Sequence, residues 1–301
     1  MNVTWPSNAK ARFGSDILQA SHDLGSQAAF SDEGLAALLD AYPREDLGIW
    51  TFGAHGEGEA PAIRGTARDA TGAEIMQAVQ RGQIWLNLRE ANLKLPELQP
   101  IANEIFGSLE TAVSRKLRKK DMGLLISSPN VHVHYHLDVP IVALLQLRGK
   151  KRIWLYPADE AFAPSAIIED LVHMRKEEGL PFETHFDDHA TVIDLLPGMG
   201  LTWPQMAPHR VQNEDCVNVS LSCEYMTIGS LIEANSVYTD SFIRDQFRLS
   251  PTRSGTHSAI KVGKAALARA IKTVARKTHQ TSPTAPTFEV DLSEESCIRQ
   301  L

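Results

Sequence analysis

The sequence has 301 residues, of which 43% are hydrophobic and 22% are charged. This composition is typical of a globular protein, and the length allows one large domain or two smaller ones. A formal net charge of −7 argues against nucleic-acid binding by the chain as a whole. The apolar runs are too short to span a membrane and the first residues lack the apolar core of a secretory signal, so we expect a cytoplasmic protein.

Residues 1–120 show helical periodicity interrupted by short strand-like stretches, which predicts a mixed α/β segment. One helix is predicted after Ser31, where acidic residues follow a capping residue and leucines recur on one face. A second follows the capping box of Thr71 and Glu74. A third precedes a basic stretch, residues 115–120, which is either the solvated end of that helix or a contact surface for an acidic partner.

From residue 121 the pattern changes to short apolar stretches separated by turn residues, which indicates a closed or sandwiched β architecture. The predicted strands are residues 122–127, 131–137, 141–147, 151–156, 190–195, 199–203, 208–212 and 216–226. A long insertion, residues 158–189, carries a predicted helix over 165–178 and is typical of a lid or a substrate-binding loop. We expect its three histidines at the surface: His173, His185 and His189.

A histidine and an aspartate lie two residues apart in this region. His136 and Asp138 point to the same face, because side chains alternate along an extended backbone. A second imidazole would complete the set of two histidines and one carboxylate that leaves open positions on Fe(II). The candidate is His209, which begins a new alternating run after two prolines. His134 shares the face of His136, so an alternative makes these two histidines the metal ligands and leaves Asp138 as their partner.

The ordered residues around this pair resemble an oxygenase family. They comprise His136-x-Asp138, Gln146, Gly149, Lys151, Pro157, the PGMG turn, Pro208-His209 and the strand VNVSLS. Over about residues 125–228 the chain resembles the JmjC and cupin-like branch of the Fe(II)/2-oxoglutarate-dependent oxygenases. The resemblance implies a mainly β protein with flanking helices, in which residues 1–120 pack on a double-stranded β-helix (jelly-roll) formed by residues 121–228.

The resemblance also implies the roles of individual residues. The Fe(II) ligands would be His136, Asp138 and His209. Lys151 would bind the far carboxylate of 2-oxoglutarate, with His134 and Ser220 as further co-substrate contacts. The walls of the substrate pocket would include Tyr135, Trp154 and Trp203.

The reaction implied is hydroxylation of a C–H bond with O2 as the oxidant, and we expect a peptide or protein side chain as the substrate. A small molecule is the alternative substrate. Two other hypotheses remain open: a metal-binding cupin that does not use 2-oxoglutarate, such as an isomerase or a single-substrate dioxygenase, and a non-catalytic sensor. In the first of these, Lys151 would be a structural lysine.

Residues 229–280 are predicted to form helices after the barrel, and residues 281–301 a flexible tail. One helix has a near-heptad apolar stripe among lysines and arginines: Ile260, Leu267, Ile271 and Val274. Such a helix packs on itself or on the body of the protein, or it binds an anionic membrane surface or a nucleic acid. Because C-terminal helices often form the dimer interface in this family, we predict a homodimer through this helix.

Overall fold

The computed structural model of the chain describes residues 1–51, 63–173, 179–249, 258–274 and 285–301. The strands in these ranges are β1 (Val3–Thr4), β2 (Leu18–His22), β3 (Gly48–Thr51), β4 (Ile63–Thr66), β5 (Trp85–Leu88), β6 (Arg118–Ser127), β7 (His132–His136), β8 (Ile141–Arg148), β9 (Lys151–Leu155), β10 (Thr191–Leu195), β11 (Met199–Thr202), β12 (His209–Asn213), β13 (Asn218–Met226), β14 (Phe288–Val290) and β15 (Ile298–Gln300). The α-helices are α1 (Ala9–Arg12), α2 (Asp32–Ala41), α3 (Gly72–Arg81), α4 (Ala91–Lys94), α5 (Gln99–Val113), α6 (Ser165–Val172), α7 (Ile228–Phe247) and α8 (Ser258–Val274). Each of these helices is too short or too polar to traverse a bilayer.

Two sheets form the barrel. The larger one contains the neighbouring strands β11-β8-β13-β6, and the smaller one has the order β10-β9-β12-β7. Apolar side chains of both sheets share one core, among them Leu144 of β8 and Ile153 of β9. The protein is therefore mainly β with flanking helices and has a jelly-roll core of the cupin type, which confirms the predicted fold class.

Alternation along β8 separates the barrel interior from a second core. Val142 and Leu144 belong to the core between the sheets, whereas Ile141 and Ala143 belong to the core on the outer face of the larger sheet. One strand thus serves two cores, because successive side chains point to opposite faces. Gln146 points to the same face of β8 as Val142 and Leu144, so a fully buried polar side chain faces the interior.

The N-terminal segment packs on the outer face of the larger sheet. Helices α2, α3 and α5 each bury an apolar face, and Leu35, Ile75 and Ile105 have no solvent-exposed surface. They share one core with Leu124 of β6 and Leu221 of β13. The predicted caps are present at the starts of α2 and α3.

The first part of the chain contributes β1 and β2 to the predicted mixed α/β segment, and β2 extends the barrel by pairing with β11. Two other stretches differ from the prediction. The helix predicted over 165–178 is observed over Ser165–Val172, and residues 174–178 lie outside the described residues. Residues 285–301, predicted as part of a flexible tail, form β14 and β15, and Phe288 is fully buried. This prediction was wrong because β14 pairs with β4, a strand far earlier in the sequence. Local sequence patterns do not report a pairing of this range.

The two C-terminal helices pack against each other. A buried ion pair joins Lys264 Nζ of α8 to Asp240 Oδ1 of α7 at 2.6 Å. Ala268 is fully buried, whereas Ile260 and Leu267 of the predicted stripe are 52% and 46% exposed. Helix α8 therefore contacts the body of the protein through a face that includes a lysine, and part of the stripe lies at the surface. The homodimer stays a prediction.

Candidate metal centre

Two strand ends and one loop bring the predicted metal ligands together. His136 ends β7, Asp138 follows in the loop before β8, and His209 begins β12. Strands β7 and β12 are antiparallel neighbours, and the Cα atoms of His136 and His209 are paired across them. The register shifts directly after this pair, an irregularity of the kind that re-aims side chains at functional sites.

The three side chains form a compact set of donors. Their potential ligand atoms all lie within 4.8 Å of one another. His209 Nε2 lies 3.4 Å from Asp138 Oδ2, and the ring centroids of His136 and His209 are 4.1 Å apart. Within the described ranges, no other group of three His, Cys, Asp or Glu residues has this spacing. Two imidazole nitrogens and one carboxylate oxygen are the facial set of non-haem Fe(II) sites.

Backbone carbonyls orient both imidazole rings. His136 Nδ1 lies 2.7 Å from the carbonyl oxygen of His134, and His209 Nδ1 lies 3.3 Å from that of Ala207. A carbonyl oxygen can only accept, so Nδ1 carries the proton and Nε2 keeps its lone pair. Metal-binding histidines are commonly fixed in this way, and both rings offer Nε2 as the ligand.

An apolar wall surrounds His209. The imidazole is buried, and the ring of Trp203 packs against it with centroids 4.9 Å apart. Burial and, to a smaller extent, the neighbouring His136 ring hold the pKa of His209 well below its usual value. His209 is therefore neutral near pH 7, which is the form that binds a metal ion. Trp203 is the predicted pocket aromatic that lies at the triad.

His134 lies on β7 next to the triad but does not belong to the donor set. Its ring contacts that of His132, with centroids 5.1 Å apart, and its backbone oxygen accepts from His136 Nδ1. The carboxylate of Asp138 completes the group of three donors. The geometry therefore favours Asp138 over His134 as the third ligand.

A buried lysine lies in the same barrel. Lys151 begins β9 and is 5% exposed, whereas its neighbours Lys150 and Arg152 pair with Asp194 at the surface. In the described part of the chain, no carboxylate and no hydrogen-bond acceptor contacts Lys151 Nζ. Burial lowers the pKa of Lys151 to about 7, and a smaller electrostatic contribution from Cys216 opposes this change.

This environment suits Lys151 to bind an anion. A buried ammonium without a counter-charge costs free energy, and an incoming carboxylate supplies the missing charge. On the ladder between β9 and β12, His209 lies opposite Leu155 and Asn213 lies opposite Lys151. The strand rise separates the Cα atoms of Lys151 and Leu155 by about 13 Å, a distance that the lysine side chain and a small dicarboxylate can span together.

Ser220 belongs to a buried polar network on the strands that precede and flank Lys151. Its Oγ donates to Gln146 Oε1 at 2.7 Å. Gln146 Nε2 in turn donates to Asn218 Oδ1 at 2.7 Å and to the backbone oxygen of Arg148 at 2.6 Å. These bonds hold the turn between β8 and β9. Ser220 therefore supports the turn that leads to Lys151, and among the described residues no hydrogen bond joins the two.

Tyr135 and Trp154 lie on the opposite face of the smaller sheet from the triad. The Tyr135 hydroxyl donates to the carbonyl oxygen of Phe162 at 2.7 Å, and its ring packs against that of Tyr156 with centroids 4.9 Å apart. The guanidinium carbon of Arg210 lies 3.7 Å from the centroid of the Trp154 ring. Strand alternation turns both residues away from the donors, and the structure does not place them in the wall of the site.

The histidines of the insertion also lie apart from the triad. His173 stacks on Tyr238 with centroids 3.9 Å apart. His185 is exposed and lies 3.3 Å from Glu183, and His189 packs against the aromatic cluster of the insertion. His185 and His189 are exposed, as predicted, whereas His173 is half-buried.

Sequence reasoning missed a buried asparagine of the barrel interior. Asn213 is the ladder partner of Lys151, and its Nδ2 donates to Ser127 Oγ at 2.8 Å. The alternation along β12 could have predicted this position, because Asn213 points to the same face as His209. A polar residue at that place indicates that this part of the interior is polar.

The fold and the donor set together define a jelly-roll protein with a His-Asp-His group, and comparisons with known proteins support the fold. No protein-family model matches the sequence, and no curated protein matches it. An X-ray structure of Escherichia coli ycfD has a TM-score of 0.51 and 14% identity, covering 93% of this chain and 71% of that chain. A structure described as the Escherichia coli ribosomal oxygenase YcfD has a TM-score of 0.50 and 14% identity, covering 96% and 75% of the two chains. At this identity the likeness shows a shared fold.

Proposed function

We propose that this protein is an Fe(II)- and 2-oxoglutarate-dependent oxygenase that hydroxylates a C–H bond of a peptide or protein side chain. The observation that carries the proposal is Lys151, a buried lysine without an anionic partner among the described residues, in the same barrel as a set of two histidines and one carboxylate. Such a set leaves positions on the metal for a co-substrate and oxygen. The lysine supplies the charge that the far carboxylate of the co-substrate requires.

The residues present fit the metal and the co-substrate. His136 and His209 offer Nε2, because Nδ1 of each faces a backbone carbonyl, and Asp138 offers a carboxylate oxygen. Fe(II) held by these residues would supply oxidative chemistry with 2-oxoglutarate and O2, in which one oxygen atom would enter the substrate C–H bond, the other would enter succinate, and CO2 would be released. The donor set is one negative and two neutral groups, which leaves a net positive charge on the metal to attract the keto-acid end of a dianion.

The chain's own residues contribute binding, orientation and exclusion of water. Lys151 neutralises the far carboxylate, and the arriving negative charge raises its pKa so that it is protonated when the ligand is bound. Ile153 and Leu155 of β9, with Trp203, form the apolar lining between the lysine and the triad. This lining limits the access of water to the bound co-substrate and strengthens the ion pair with Lys151.

A peptide or protein side chain is the proposed substrate. The Escherichia coli protein with the same fold is described as a ribosomal oxygenase, which is compatible with a protein substrate for this chain. A small molecule remains the alternative. Incubation with a peptide library, Fe(II), 2-oxoglutarate and O2, followed by mass spectrometry, would reveal a substrate by the gain of one oxygen atom.

Anaerobic titration of the metal-free protein with Fe(II) and then 2-oxoglutarate tests the chemistry. A chelated keto acid gives a visible charge-transfer absorption, which we expect in the wild type. In Lys151→Ala the band should require at least tenfold more 2-oxoglutarate, since the loss of a desolvated ion pair costs about 1.4 kcal/mol or more. Lys150→Ala is the matched control, because this neighbouring lysine is surface-exposed and should leave the titration unchanged.

The absence of the band in a protein that binds iron would contradict the proposal. In that case a cupin that does not use 2-oxoglutarate becomes the better explanation. An equal loss of affinity in Lys150→Ala and Lys151→Ala would show that Lys151 does not contact the co-substrate.

A further inference from the structure

A cleft of about 560 Å³ lies between α7, α8 and the first residues of β6. Two basic segments that are far apart in the sequence meet there: Lys119 comes from residues 115–120, and Arg269 and Lys272 come from α8. The whole chain has a net charge of −7, so this concentration of positive charge does not follow from its composition. The size is that of a site for a ligand or a few side chains.

The cations of the cleft lack acidic neighbours in its wall. Lys119 and Arg269 are exposed, and no carboxylate is among the described residues that line the cleft. Lys272 Nζ lies 3.0 Å from Asn235 Oδ1 and 4.2 Å from the centroid of the Tyr238 ring, and both partners are neutral. Burial and, to a smaller extent, the charge of Lys119 lower the pKa of Lys272.

Two of the three acidic residues of α7 form ion pairs with lysines outside the cleft wall. Asp240 binds Lys264 at 2.6 Å, and Glu233 binds Lys261 at 2.7 Å. Neither acid is part of the cleft wall. An external anion is therefore the partner that the three cations of the cleft lack.

The floor of the cleft is aliphatic. Ile228 is 60% exposed, and Leu231 and Ile232 are partly buried beside it. No aromatic ring lines the cleft within the described ranges, although single-stranded nucleic acids are usually bound by stacking of bases on aromatic side chains. An aliphatic floor under a cationic rim fits a peptide better than a nucleic acid.

The first turn of α7, which contributes to the cleft wall, is linked through Gln205 to the loop of the metal centre. Gln205 Nε2 donates to the carbonyl oxygen of Val139, the residue after Asp138, at 2.8 Å. The same Nε2 donates to the carbonyl oxygen of Ser230 in the first turn of α7 at 3.2 Å. A ligand in the cleft would therefore lie against the helix end that is tied to the loop of Asp138.

We propose that this cleft binds an acidic peptide segment that carries an aliphatic side chain. Carboxylates of the peptide pair with Lys119, Arg269 and Lys272, and the aliphatic side chain covers Ile228 and Leu231. The inference goes beyond the oxygenase proposal and does not depend on metal or 2-oxoglutarate binding.

Fluorescence anisotropy with the full-length protein tests the inference. The probe is a fluorescein-labelled peptide of alternating Glu and Leu, and the comparison peptide has Lys in place of each Glu. We expect the acidic peptide to bind and the basic one not to bind. Binding should weaken strongly near 1 M salt, where the screening length falls to about 3 Å.

Charge reversals locate the binding site. Lys119→Glu and Arg269→Glu should each raise the Kd of the acidic peptide about tenfold, because an attraction is replaced by a repulsion. Arg68→Glu is the matched control: Arg68 is exposed, lies outside the cleft wall and produces the same change in net charge. Ile228→Ser should raise the Kd about fivefold by removing the apolar contact.

Several results would overturn the proposal. Equal binding of the acidic and basic peptides would exclude charge recognition, and an equal loss of affinity in Arg68→Glu would indicate a general effect of net charge. Binding of poly-uridine RNA or of phosphatidylglycerol vesicles through Lys119 and Arg269, without binding of the peptide, would assign the cleft to another class of ligand.

Discussion

Replacing Lys151 with methionine should stabilise the ligand-free protein while weakening the binding of 2-oxoglutarate. The lysine is buried and has no counter-charge in the described part of the chain. Methionine is similarly long and flexible, carries no charge and adapts to irregular apolar surroundings. The substitution therefore removes the cost of burying the ammonium without opening a large cavity.

The pKa of this lysine gives the size of the effect. Folding lowers it from 10.5 to about 7. Each pKa unit corresponds to about 1.4 kcal/mol, so below pH 7 the protonated lysine costs at most roughly 5 kcal/mol of the free energy of unfolding. Between these two pKa values the unfolded chain binds the proton and the folded chain does not, so the cost falls as the pH rises. Near pH 9 about 2 kcal/mol of the cost remains.

Urea unfolding of the wild type and of Lys151→Met near pH 6 and pH 9 measures this difference. The difference between the free energies of unfolding of the variant and the wild type cancels the titration of all other groups. This difference, which favours the variant, should fall by about 3 kcal/mol between the two pH values. Lys150→Met, at an ion-paired surface position, should change the free energy of unfolding by less than about 1 kcal/mol. An advantage that is the same at both pH values, or a variant that is less stable than the wild type, would refute the reasoning.

Three further outcomes are expected from substitutions in the site and its surroundings. Asp138→Ala should lose Fe(II) binding in equilibrium dialysis, whereas His134→Ala should retain most of it; the reverse result would make His134 the ligand. Lys264→Met leaves the buried carboxylate of Asp240 without its partner, so amide hydrogen exchange of α8 should become faster, at a cost of about 3 kcal/mol or more. Tyr135→Phe removes a buried hydrogen bond and should lower the free energy of unfolding by about 1 kcal/mol, with no change in 2-oxoglutarate affinity; an altered affinity would place Tyr135 in the site.

The barrel strands and the position of the triad could be predicted because both depend on local patterns. His136 and Asp138 share a face by strand alternation alone, and His209 begins an alternating run after a turn. The observed β7 and β12 differ from the predicted strands by one residue at each end. Alternation does not determine which strands become neighbours, and the meeting of His136 with His209 required the ladder between β7 and β12.

The positions of Tyr135 and Trp154 on the opposite face of the smaller sheet also follow from strand alternation. The same alternation that aligned His136 with Asp138 directs Tyr135 to the other face of β7. Along β9 it directs Lys151 inward and Trp154 outward. Strand alternation therefore indicates that both aromatic rings face away from the donors, whereas the buried environment of Trp203 could be decided only from the packing of the folded chain.

The ordered end of the chain could not be predicted from local composition. Phe288 is buried because it pairs across β14 and β4 with Gly65 and its ring lies over that glycine, a contact between residues far apart in the sequence. Prolines and acidic residues nearby are typical of a mobile tail. The apolar stretch of β14 is too short to indicate a strand against that composition. Contacts of this range depend on the folded sheet, which local periodicity does not report.

The cost of Lys151 and the binding of the co-substrate are linked. A barrel selected only for stability would be expected to carry an apolar residue at this position, because a buried charge without a partner is destabilising. A ligand present at a hundred times its Kd stabilises the native state by about 2.7 kcal/mol, which is of the same order as the cost of the lysine. The carboxylate of 2-oxoglutarate would restore the charged form of Lys151, so the gain in stability on binding should be largest below pH 7, where the free protein bears the full cost. The same gain should be much smaller in Lys151→Met, in which the metal alone retains the co-substrate.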